Sequence, residues 1–118
     1  MDLVDSPSNL SLRQLRAFWL VSQEGSMTRA AKRMHLTISA LSMLVRTLEE
    51  ELGVRLFERT TRRVELTDAG RQFQPTVRDV FFALDAGLHT LQESKRRKNE
   101  RLVVVTSPLL AATLVPMV

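Results

Sequence analysis

Apolar positions recur at helical spacing through most of the chain. Leu12, Leu15, Phe18 and Trp19 mark a first helix, and Ser11-Leu12-Arg13-Gln14 before them has the form of a capping box. Gly25 supplies a left-handed stop. Met27, Ala30, Ala31 and Met34 follow at i, i+3, i+4 and i+7, behind a capping Ser26, while Arg29, Lys32 and Arg33 project from the other side. Thr37 caps a third helix, in which Leu41, Leu44, Val45, Leu48 and Leu52 form an inward stripe and Gly53 closes the end. Its opposite face displays Ser39, Ser42, Met43 and Arg46. On a 100°-per-residue wheel Ser39, Met43 and Arg46 fall within about 40° of one direction, nearly opposite Leu48.

The period then changes to two. Leu56-Phe57-Glu58-Arg59 and Val64-Glu65-Leu66 alternate around Thr60-Thr61-Arg62-Arg63, which predicts a short hairpin bordered by Arg55, Arg59, Arg62 and Arg63. Thr67-Asp68 combines a cap with an acidic first-turn residue and opens a long helix to about Lys95, bent at Pro75. Along it Val77, Phe81, Leu84, Leu88 and Leu91 form one apolar stripe, overlapped by Phe73, Val77, Val80 and Leu84. Such a helix spans roughly 42 Å at 1.5 Å per residue, more than the small preceding domain covers. Phe73, Val77, Val80, Phe81, Leu84, Leu88 and Leu91 are therefore the expected dimer interface. Lys95 to Lys98 is a solvated charge run that marks a linker. Leu102 to Val105 is a short apolar strand signal without a partner strand in this chain, and Ser107-Pro108 opens a further helix-like stretch. The expected divisions are a flexible terminus over 1–10, a compact domain over 11–67, a linker helix over 68–96 and a hinge with the start of another domain over 97–118.

Composition narrows the chemistry. The 118 residues contain no Cys and 2 His, so disulfides and thiolate metal sites are excluded, and His35 and His89 lie too far apart to suggest a metal cage. No nucleophile stands with His and a carboxylate at motif spacing, and the 4 glycines are scattered rather than gathered into a phosphate loop. An enzyme is not expected, and no cofactor. His35 reads as a structural or phosphate-touching turn residue and His89 as a helix-surface residue. Met1 to Leu10 lacks the basic and apolar order of a signal peptide, and the uncharged run Leu102 to Val118 is too short and proline-broken to span a bilayer. The expectation is a cytoplasmic, nucleoid-associated protein without membrane contact. With 17 Lys+Arg against 13 Asp+Glu the net charge is +4, which favours a polyanionic partner, nucleic acid first.

Three short helices, a tight His35-Leu36-Thr37 turn and a basic hairpin predict a mainly α fold: a winged helix-turn-helix followed by a long dimerisation helix. In such a fold the second helix crosses the DNA backbone, the third offers its N-terminal half to base edges and the hairpin reaches phosphates or the minor groove. The candidate DNA-binding residues are Arg29, Arg33, Thr37, Ile38, Ser39, Ser42, Met43, Arg46, Arg59, Arg62 and Arg63. Arg29 or Arg33 has an alternative use, an ion pair with Glu49 or Glu50.

The residues from Leu12 to Gly70 also resemble a known family, the LysR-type transcriptional regulators of bacteria. The matching strings are Leu12-Arg13-Gln14-Leu15-Arg16-Ala17-Phe18, Gly25-Ser26-Met27-Thr28-Arg29-Ala30-Ala31, Ser39-Ala40-Leu41-Ser42, Leu48 to Arg59, and Leu66-Thr67-Asp68-Ala69-Gly70. Residues 102–118 look like the first strand and helix of the family's effector-binding domain, most of which is missing here. The resemblance implies a transcriptional regulator that dimerises through the linker helix, forms tetramers in many members and binds an interrupted inverted repeat near a promoter. A small-molecule inducer is expected only for the effector domain.

The departures from the family are specific. Ile38 stands where the family often has Gln, and Met43-Leu44 where Arg-Gln is common. The recognition surface thus offers fewer base-edge hydrogen bonds, although apolar side chains still touch thymine methyls. Affinity is expected to come mostly from phosphate contacts and the arginine wing, with sequence choice resting on Ser39, Ser42, Arg46 and methyl contacts. The alternative is a dimerising interaction module whose DNA binding is largely non-specific.

Overall fold

The computed structural model describes residues 9–59 and 63–98. Their order is α1 (Leu12–Glu24), α2 (Met27–Met34), α3 (Ile38–Leu52), β1 (Phe57–Arg59), β2 (Val64–Leu66) and α4 (Asp68–Lys98). The described chain divides into two compact units, one ending at Val77 and the other starting at Arg78. Arg62, the 1–8 stretch and the 102–118 segment, on which some expectations fall, lie outside the described residues.

In the first unit the helices begin where side chains can satisfy their unpaired N–H groups. Ser11 Oγ accepts the Gln14 N–H at 3.1 Å and Gln14 Oε1 accepts the Ser11 N–H at 2.8 Å, the reciprocal pair that the Ser11–Gln14 spacing predicts. Gln14 is buried, and its Nε2 donates to Thr47 Oγ1 at 3.0 Å, so the cap of α1 also ties α1 to α3. Gly25 and Gly53 close α1 and α3 at φ of 63° and 71°, a conformation glycine adopts without Cβ strain.

The apolar stripes of the three helices meet in one core. Ala17, Phe18, Val21, Ala30, Leu41, Val45 and Leu48 are wholly buried, and Leu56 and Phe57 nearly so. The Phe18 ring lies 5.4 Å from Phe57 and 5.5 Å from Phe73, both tilted, which joins α1 to the wing and to the start of α4. β1 and β2 pair antiparallel with Phe57 opposite Leu66 and Arg59 opposite Val64.

The base of this hairpin is held by polar bonds as well as by packing. The Glu49 carboxylate accepts the backbone N–H of Leu56 at 2.7 Å and of Phe57 at 3.3 Å. Thr67 acts three times: its N–H donates to the Leu56 carbonyl at 3.0 Å, its hydroxyl donates to the Arg55 carbonyl at 2.6 Å, and Oγ1 accepts the Gly70 N–H at 3.0 Å. Glu49→Ala leaves the two partly buried donors without an acceptor. It is expected to cost about 1–3 kcal/mol, measured as a lower midpoint of thermal or urea unfolding. Unchanged stability would show that water takes over the role of the carboxylate.

Two expectations about α4 need correction. Val77 is completely buried, so it serves the core of its own unit rather than a dimer interface, and Phe73 is half-buried against Phe18, so part of its surface is already used internally. The stripe that reads as one continuous seam is divided in use, its first part internal. The helix also continues to Lys98, slightly past the expected end at about Lys95. Lys95, Arg96, Arg97 and Lys98 fall in its last turn, where cations are stabilised by the negative end of the helix dipole. Pro75 lies inside α4 without interrupting it. In the second unit Val80, Leu84 and Leu91 are exposed, at 36%, 38% and 67%, while Phe81 and Leu88 are half-buried. Among the described residues no helix is long and apolar enough to cross a membrane.

Candidate nucleic-acid interface

The turn between α2 and α3 is closed by backbone bonds. His35 takes the left-handed conformation at φ 57°. Its N–H donates to the Lys32 carbonyl at 3.1 Å, while the next N–H, of Leu36, reaches back to Ala31 at 2.9 Å. This is a Schellman closure with His35 in the place usually held by glycine. Sequence reading left the conformation of His35 open; the only available signal is the enrichment of His, with Asn and Asp, at positive φ. Thr37 is extended, and its Oγ1 accepts the Ala40 N–H at 3.0 Å, so only three residues separate the end of α2 from the start of α3. That bond occupies the Thr37 oxygen as acceptor and leaves its hydroxyl hydrogen to donate.

The two faces of α3 separate sharply. Leu41, Val45 and Leu48 are 0% exposed, with Leu44 and Leu52 half-buried on the flanks. Ser39 and Arg46 are exposed and Ser42 half-buried, beside Ile38 at 49% and Met43 at 54%. The first three are polar side chains at the expected positions. The last two are large apolar side chains held toward solvent.

The cations around this ridge differ in their commitments. Arg33 Nη1 lies 3.1 Å from Glu24 Oε2, an ion pair between α2 and α1. Glu49 is engaged with the Leu56 and Phe57 N–H groups, so the expected pairing of Arg33 or Arg29 with Glu49 or Glu50 is replaced by Arg33 with Glu24. Arg29 and Lys32 are exposed on the outer side of α2, opposite buried Ala30 and Ala31. Lys32 is a candidate that sequence reading placed on this face but did not select. Arg59 lies in β1, and Arg63, exposed, immediately precedes β2. The described geometry thus places a neutral-to-cationic ridge on α3, three exposed cations on α2, one of them paired with Glu24, and arginines along the hairpin.

Comparison with known proteins gives this arrangement its family. Residues 12–71 match the model described as "Bacterial regulatory helix-turn-helix protein, lysR family". The chain belongs to the LysR family. This LysR-family chain is 39% identical over 108 residues to the uncharacterized HTH-type transcriptional regulator YfeR of Shigella flexneri, covering 92% of the chain and 35% of that protein. It is 53% identical over 64 residues to the RuBisCO operon transcriptional regulator of Allochromatium vinosum, covering 54% of the chain and 21% of the relative. It therefore spans about a fifth to a third of the length of these curated relatives. Among solved structures, the CbnR_DBD–DNA complex matches with TM-score 0.69 and 33% identity over 74% of the chain and 100% of that structure. The BenM_DBD/benA site 1 DNA complex matches with TM-score 0.68 and 33% identity, over 71% of the chain and 98% of that structure.

Proposed function

We propose that the chain is the DNA-binding portion of a LysR-type transcriptional regulator that recognises an inverted-repeat promoter site as a dimer, and as a tetramer in the intact protein. The observation that carries the reading is the division of α3, buried on one face and exposed at Ser39, Ser42 and Arg46 on the other. It lies within a region 33% identical to domains solved bound to DNA. In this reading Arg29, with Thr37 and the wing residues Arg59, Arg62 and Arg63, contacts phosphate. Ser39, Ser42 and Arg46, with Ile38 and Met43, face base edges. Arg33 shares its guanidinium with Glu24 through Nη1 and meets phosphate with its remaining N–H donors. Val80, Phe81, Leu84, Leu88 and Leu91 form the seam between two copies. The protein acts by binding rather than catalysis, in the cytoplasm beside the nucleoid, and a small-molecule inducer acts through a domain outside these residues.

The reading is tested by mapping the sites bound by the intact protein across the genome and competing a mapped promoter fragment against random duplex. The promoter is expected to win by about 10³-fold or more. With at least three phosphate contacts per protomer, log affinity falls against log salt with a slope of about −5 or steeper for a dimer. The exposed Ile38 and Met43 favour one second reading, a dimerising module with largely non-specific binding, which equal competition would establish instead.

A further inference from the structure

The arrangement of the exposed residues on α3 says which chemical group they meet, provided that α3 is the helix that enters the groove. With Ile38 set at zero on the helical wheel, Ser42, Arg46, Ser39 and Met43 follow at about 40°, 80°, 100° and 140°. Two apolar side chains therefore bracket the polar ones, and both are about half exposed, at 49% and 54%. Neither can hydrogen-bond to a base edge through its side chain, apart from the weak acceptor sulfur of Met43. An apolar side chain gains from burial against another apolar group, and the one that the major groove presents is the C5-methyl of thymine.

We propose that α3 reads the 5-methyl group itself, through Ile38 and Met43, so that 5-methylcytosine substitutes for a contacted thymine. The two readers differ in tolerance. Ile38 is β-branched and stiff at χ1, so it requires a methyl at one place. Met43 has an unbranched, polarizable thioether chain and follows its methyl over a wider range. Five residues along a helix advance about 7.5 Å, which places the two methyls roughly two base-pair steps apart. Arg46 and the serines between them remain available to a guanine or a phosphate. A modification of DNA that leaves base pairing unchanged thereby becomes a determinant of where this protein binds.

The test uses the full chain and a duplex enriched by it from a random-sequence library. Each thymine of that duplex is replaced singly by uracil, which lacks only the methyl, and separately by cytosine or 5-methylcytosine opposite guanine. Uracil is expected to weaken binding about fourfold at two positions, the loss for one buried carbon group, and cytosine at least as much. 5-Methylcytosine at those positions is expected to bind within about twofold of thymine. Met43→Ala is expected to abolish the uracil effect at one position and Ile38→Ala at the other. Both side chains are exposed, so the variants retain the fold. Uracil tolerated at every position, an effect that survives both variants, or 5-methylcytosine as weak as cytosine would each overturn the proposal. Failure to enrich any sequence would instead count against sequence-specific binding itself.

Discussion

A chain carrying Phe81→Asp and Leu88→Asp is expected to sediment as a monomer and to bind an inverted-repeat duplex about 10²- to 10⁴-fold more weakly than the unmodified chain. Phe81, Leu84 and Leu88 occupy one stripe of α4 beyond Val77, at steps of three and four residues. A carboxylate on this stripe keeps its hydration only if the stripe stays open to water, so two of them oppose closure against a second helix. The loss of DNA affinity follows from the loss of the tether. In a dimer, binding of one half-site holds the second reader at millimolar effective concentration, whereas a monomer meets each half-site independently. Circular dichroism checks that α4 stays helical, and sedimentation equilibrium with a binding titration supplies the two readouts. A double variant that remains dimeric would place the interface elsewhere.

The second large effect is expected at Gly70. A Cβ built there would collide with the Leu56 carbonyl oxygen and lie 2.8 Å from Leu66 Cδ2. The first of these atoms is backbone and already accepts the Thr67 N–H, so it cannot move aside without breaking the bond that joins the wing to α4. Gly70→Ala is expected to destabilise the first unit by about 3 kcal/mol, at the upper end for an overpacked site. For a domain of this size that lowers the melting midpoint by more than about 10 °C. Gly87→Ala is the matched control. It stands exposed inside the same helix with nothing within 4 Å of the new Cβ, and it is expected to stabilise α4 by about 0.5–1 kcal/mol. Equal behaviour of the two variants would show that Leu56 and Leu66 give way and that their approach does not require glycine at 70.

The contrast between what was legible in the sequence and what was not follows the range of the interaction. Ser11, Ser26 and Thr37 announce their helices because a cap bonds to N–H groups two or three residues ahead, and the signal is contained in the spacing. The outward position of Ser39, Met43 and Arg46 is equally local, since it depends only on the helical period and the placement of Leu41, Val45 and Leu48. The Arg33–Glu24 pair and the grip of Glu49 on Leu56 and Phe57 depend on how helices and loop meet, and no spacing rule selects among the nearby carboxylates. The stripe on α4 failed for a different reason. Its period is the same on both sides of Val77, so periodicity does not reveal that Val77 is wholly, and Phe73 partly, covered by their own chain. The end of α4 was missed because Lys95 to Lys98 has the composition of a linker, while its position at a helix terminus turns the same charges into a stabilising feature.

The Schellman closure at His35 and Leu36 joins α2 to α3 through main-chain atoms, and the inner stripe seats α3 without help from its outer residues. The side chains that would touch bases therefore bear no structural duty. Lineages of such a molecule are able to exchange them, polar for apolar or the reverse, and acquire new target sites while the docking angle is inherited intact.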